Sequence, residues 1–154
     1  MIDRRLKNIV VKDLVFVLLY TMLMTLGLSL LLGLIDFFII KFLGTQIGGL
    51  LFWVLAFWTG SMVRKQYENP HLVYSIIAGI GLLLAAVIIE VVPFILFAVG
   101  SREFAALIFD FDIYLTQFMY LYNPINWIRN FSFNYLITLL MIFVGTYLGV
   151  KRTY

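Results

Sequence analysis

The chain has 154 residues, of which 64% are hydrophobic and only 12% charged, with a formal net charge of +3. That is too little polar surface to cover a soluble globule, and several apolar runs are long enough to span a bilayer, so the composition indicates an all-α polytopic membrane protein. With no cysteine and one histidine, disulfides, thiolate metal sites, Fe–S clusters, thiol redox catalysis and histidine-rich metal sites are excluded, and no cofactor is expected.

Residues 1–13, MIDRRLKNIVVKD, carry Arg4, Arg5, Lys7 and Lys12, with Leu6, Ile9 and Val10 spaced to share one helical face. Such a segment either lies on an anionic leaflet with its cations among lipid headgroups, or simply flanks and orients the first span. The apolar run 14–35 is longer than a signal-peptide core and no small-residue cleavage pattern follows it, so it reads as an uncleaved transmembrane helix. Asp36 and Lys41 bracket its far end, where the lysine can extend its ammonium to the interface.

The glycines of GTQIGG break the pattern, and a second span covers about 44–63. Gly44 and Gly48 are spaced as GxxxG, as are Gly145 and Gly149 in the last span, a spacing that lets helix backbones approach closely in lipid. The short basic loop RKQYENPH, residues 64–71, contains Asn69-Pro70, which predicts a helix start with the asparagine as N-cap and the proline in the first turn. His71 then falls at the membrane surface as an interfacial side chain.

The third span, about 72–96, belongs to an apolar run from Leu72 to Gly100 that carries one charge. Roughly 43 Å of helix must there be fitted to about 30 Å of hydrocarbon, so the helix has to tilt, kink or overshoot. Pro93 offers a kink, because it leaves the carbonyl of Ile89 without an N–H. Ser75, Gly79, Ala86 and Glu90 share one side, while Ala78, Gly81 and Ala85 lie roughly opposite. Two small-residue stripes place this helix between neighbours on two sides. Glu90 is the single charge, and near the bilayer centre it needs a partner or water, for which Gln46, Tyr135, Thr138 or an arginine of the outer segment are candidates.

The outer segment, 101–127, is dense in aromatic residues and has Asp110 and Asp112 in its middle. Two aspartates near a bilayer centre cost several kcal/mol even on lenient insertion scales, whereas aromatic rings suit the headgroup zone. The expectation is therefore an interfacial or re-entrant helix on the outer side and not a fifth span. Asp110 and Asp112 join Glu90 as candidates for an ion or proton pathway. As metal ligands they would point about 200° apart on a helix, and no metal site is expected. A second pair, Asn123-Pro124, predicts another helix start, and the last span runs over about 128–150 to the basic end KRTY. Asn130-Phe131-Ser132 has the N-glycosylation pattern but lies too close to the membrane for use.

Four spans with an inside N-terminus put Arg4, Arg5, Lys7, Lys12, Arg64, Lys65, Lys151 and Arg152 in the cytoplasm and leave Lys41, Arg102 and Arg129 outside. That is the positive-inside distribution, with both termini cytoplasmic. Short loops and no folded soluble domain favour a bacterial plasma membrane, and the basic charge reflects orientation in the lipid bilayer, so no nucleic-acid partner is expected. Three function classes remain. The first is a non-enzymatic accessory or assembly subunit that packs with itself as a homo-oligomer or with other membrane protein subunits, for which the small-residue motifs and the absence of a catalytic constellation argue. The second is a small transporter or ion or proton pathway through Glu90, and the third an enzyme acting on a lipid-linked substrate.

Overall fold

The computed structural model describes residues 10–129 and 132–154, the side chains of 101, 102 and 134 excepted, and among these residues it is helical with no strand. Arg4, Arg5 and Lys7 lie outside the described residues, as does most of the Asn130-Phe131-Ser132 pattern.

Helix α1 (Val11–Met22), a π-helical stretch (Leu23–Leu28) and α2 (Ser29–Leu43) continue one another as a single rod of 33 residues. The rod outruns the expected span 14–35 because nothing inside it ends a helix until Gly44, whose φ of 68° is open to glycine at little cost. The Gly44 N–H closes on the Ile40 carbonyl at 2.9 Å. Two expectations are corrected here. Asp36 is a fully buried residue inside the helix and does not mark its end. Gly44 and Gly48 form no helical GxxxG, since one closes the rod and the other opens α3 (Gly48–Arg64).

Helix α4 spans Leu72–Leu107. It starts after His71, whose Nδ1 accepts the Val73 N–H at 3.2 Å, and so begins two residues later than Asn69-Pro70 implies. The imidazole nitrogen takes the capping role expected of the asparagine. The backbone breaks at Gly100 (φ 74°, ψ −177°), not at Pro93. Val91, Val92 and Ile95 around the proline are buried and hold the helix on course, whereas positive φ is strained for any residue with a Cβ. The rod and the stretch Leu72–Gly100 are two helices long and apolar enough to cross a membrane.

Beyond Gly100 the chain turns back. Helix α5 (Phe111–Tyr122) is about 18 Å long, too short to cross about 30 Å of hydrocarbon. The Tyr122 hydroxyl donates to the Leu83 carbonyl at 2.9 Å, a level about 25 Å below Gly100 along α4. Asn123 Oδ1 accepts the Ile125 N–H at 2.9 Å and opens α6 (Pro124–Arg129). Trp127 Nε1 and the Tyr135 hydroxyl both donate to the Leu121 carbonyl, at 2.8 and 3.3 Å, which ties α5 and α6 to α7 (Phe133–Lys151). The last long helix thus starts at Phe133, later than the expected 128, because α6 is a separate short helix.

Helix α4 lies between the rod and α7. Gly81 abuts Thr21 and Thr25 of the rod, and a Cβ on Gly79 would stand 3.2 Å from Val150 Cγ2 of α7. On α7, a Cβ at Gly145 would lie 2.9 Å from the rings of Phe52 and Trp53, and one at Gly149 only 2.8 Å from the Ala56 carbonyl. At one end of the bundle the Tyr67 hydroxyl donates to the Thr153 carbonyl, Ser75 Oγ and Thr153 Oγ1 lie 2.6 Å apart, and Arg152 donates to Ser61 Oγ at 3.1 Å. Val17, Val63, Tyr67, Tyr74 and Ala78 pack together there, so the start of the rod, the α3–α4 loop and the C-terminus share that end.

Candidate functional site

The opposite end is built around the turn that joins the rod to α3. A helix start leaves its first N–H groups without partners inside the helix, and its dipole favours a negative group. Asp36 fills that role from within the rod, its Oδ1 accepting the Ile47 N–H at 2.8 Å. The same residue is fully buried, the Gly48 N–H acts on its carboxylate along with that of Ile47, and among the described residues Oδ2 is within hydrogen-bond geometry of no partner. Gly48 provides the room, since a Cβ there would stand 3.1 Å from Asp36 Oδ2 and 3.4 Å from Ile89 Cγ2.

Glu90 follows Ile89 on α4. Its Oε2 accepts a hydrogen bond from Gln46 Nε2 at 2.9 Å, and Gln46 is among the partners named from sequence. Asp36 and Glu90 are near enough for their charges to act on one another, and Tyr122 of α5 and Tyr135 of α7 stand in the field of Glu90. Gln46 is exposed and Glu90 partly so, which opens the pair to the surroundings at this end of the bundle. Two neighbouring carboxylates with a neutral amide donor can bind a proton or a small singly charged cation. Among the described residues no group of three or more His, Cys, Asp or Glu comes together, and a divalent cage of about six to eight oxygens is a poor match for a pair.

Asp110 and Asp112 are not part of this arrangement. Both are exposed, and Asp110 Oδ1 accepts the Asp112 N–H at 3.0 Å, capping α5. They sit about 15 Å or more along α5 from Tyr122, the residue of that helix that feels Glu90. Gly79, Gly81, Gly145 and Gly149 all meet other helices of this chain, as described above. Lys12 is exposed, with its ammonium 6.0 Å from the Phe16 ring centroid. Sequence reasoning missed Asp36. The available signal was its register, since Thr21, Thr25, Ser29 and Asp36 recur at four, four and seven residues, one buried polar face within an apolar rod.

The chain matches no protein-family model, no curated protein and no solved structure.

Proposed function

We propose that this is a four-span integral membrane protein of a bacterial plasma membrane, with both termini cytoplasmic and the segment 101–127 re-entering the bilayer from outside, and that it conducts or binds protons or small monovalent cations at Asp36 and Glu90. The spans are the rod, α3, the first part of α4, and α7. The observation that carries the reading is the fully buried Asp36 carboxylate, with Oδ2 unpartnered among the described residues, near Glu90. A carboxylate held inside an apolar bundle is costly, so its presence there calls for a role.

The small residues that favoured an accessory or assembly subunit, Gly79, Gly81, Gly145 and Gly149, meet helices of the same chain. One feature supports such a subunit as the second reading. A Cβ added at Gly27 would meet nothing within 4 Å among the described residues, and the glycine sits among exposed Leu23, Leu26 and Leu31, leaving room for the backbone of a neighbouring chain.

The test is flux in reconstituted vesicles. With the purified protein and an imposed pH or sodium gradient, the parent should dissipate the gradient, and Glu90→Gln and Asp36→Asn should each lower the rate at least tenfold while remaining folded. A parent that dissipates neither gradient sinks the pathway reading and leaves the accessory subunit.

A further inference from the structure

Resting on that reading, we propose that the ion is the proton, and that its route to the inner side follows one buried polar face of the rod, from Asp36 past Gly33 to Ser29, Thr25, Thr21 and, beyond Val17, Asp13. Thr21, Thr25, Ser29 and Asp36 are all buried, with 4%, 5%, 0% and 0% exposure, although each could have faced lipid or water on a helix of this length. Residues four apart on an α-helix drift by about 40° per step, so Thr21, Thr25 and Ser29 would wander off one line. The π-helical stretch Leu23–Leu28 has a wider turn and keeps them facing α4. Thr25 Oγ1 donates to the Gly81 carbonyl at 3.2 Å, and Ser29 Oγ donates to the Thr25 carbonyl.

The two ends of this face are left unsatisfied. Thr21 Oγ1 and Asp36 Oδ2 are buried atoms without hydrogen-bond partners among the described residues, and an orphan polar atom at each end is what a relay between transient waters requires. The seam is too tight for a hydrated cation. Gly81 lies directly against Thr21 and Thr25, and a Cβ on Gly33 would stand 2.7 Å from Val92 Cβ. A proton needs only one mobile water at a time. It enters at Glu90, whose carboxylate binds it from outside water, and passes to Asp36 as Glu90 returns to its ionised form. Each hydroxyl then accepts one proton from the water behind it and gives up its own to the water ahead. Val92 against Gly33 is the dry step that separates the carboxylate pair from the hydroxyls. Among the described residues the groups facing the pair include Glu90 and Asp36 themselves, the Ile47 and Gly48 N–H groups at the start of α3, Gln46 of the turn, Tyr122 of α5 and Tyr135 of α7.

The experiment follows proton entry into vesicles with a trapped pH dye, with sodium flux measured in parallel. Thr25→Val and Ser29→Ala should each lower proton flux at least fivefold, Thr25→Ser should recover flux above the valine variant, and Val92→Ser should raise it above the parent. Helical circular dichroism and elution volume confirm that each variant is folded. If folded Thr25→Val and Ser29→Ala conduct like the parent while Glu90→Gln does not, the route is wrong and the carboxylate site stands. If the parent carries sodium and not protons, the choice of ion is overturned. If it carries neither, the reading on which the route rests has failed.

Discussion

At the residue scale, the bundle end that holds both the α3–α4 loop and the C-terminus depends on Tyr67. Its ring is buried against Tyr74 at a centroid distance of 4.6 Å, the Arg64 guanidinium lies 5.3 Å from it, and its hydroxyl donates to the Thr153 carbonyl. Burial is the main cause that pushes the Tyr67 phenol above its ordinary value of 10.0, with the positive charge of Arg64 acting partly against it. The fold therefore favours the neutral phenol. The stability this adds is complete below the unfolded value near pH 10 and is lost as pH rises through the higher folded value. Tyr67→Phe should be less stable than the parent at neutral pH by the net worth of one hydrogen bond, about 0.5–1.5 kcal/mol. The gap should close as pH rises above 10, because only the parent has a buried hydroxyl to ionise there. Thermal melts in detergent from neutral to alkaline pH would measure it, and a gap that stays constant or widens would contradict the assignment.

At the scale of elements, the tightest crossing is that of α3 with α7, where Gly60 lies against the Gly149 carbonyl and Gly149 against Ala56 and Leu82. Leucine at a helical glycine gains roughly 0.5–1 kcal/mol of helix propensity. At position 149 the clash with backbone should outweigh that gain, since overpacking costs about 1–3 kcal/mol and an Ala56 carbonyl cannot rotate away. Gly149→Leu should therefore lower the melting temperature in detergent. Gly27→Leu, with open space around it, should hold it or raise it slightly, and a change of oligomeric state in that variant would revive the accessory-subunit reading. These contrasts bear on what a sequence makes visible. The helices were legible as apolar runs, and so was the central place of α4, because Gly79 and Gly81 on opposite sides need close neighbours. Helix ends were less so, since they depend on backbone angles: Gly100 and not Pro93 breaks α4, and His71 supplants Asn69 as its cap. Glu90 was visible as a lone charge in its run. Asp36 was not, because its partner, the Ile47 N–H, reaches it only after the rod has turned at Gly44.

On the scale of the whole molecule, charge and packing give independent measures of how the chain sits. Lys12, Arg64, Lys65, Lys151 and Arg152 gather at the end where Tyr67, Ser75 and Thr153 interlock, while Lys41 lies toward the end of Asp36 and Glu90. Positive charge on short loops stays in the cytoplasm, so the interlocked end should be inside and the carboxylate pair should open outward. The native chain has no cysteine, so single cysteines report without background. In intact cells, cysteines at Lys12, Gln66 and Tyr154 should be shielded from an impermeant thiol reagent, and one at Thr45, in the turn beside Gln46, should react. The outcome that would overturn the arrangement is labelling at Tyr154 without labelling at Gln66, since one membrane would then lie between residues that the Tyr67–Thr153 hydrogen bond holds together. Reaction at Gln66 and Tyr154 with protection at Thr45 would instead invert the protein, and the buried face from Asp36 to Thr21 would then run from the cytoplasm outward.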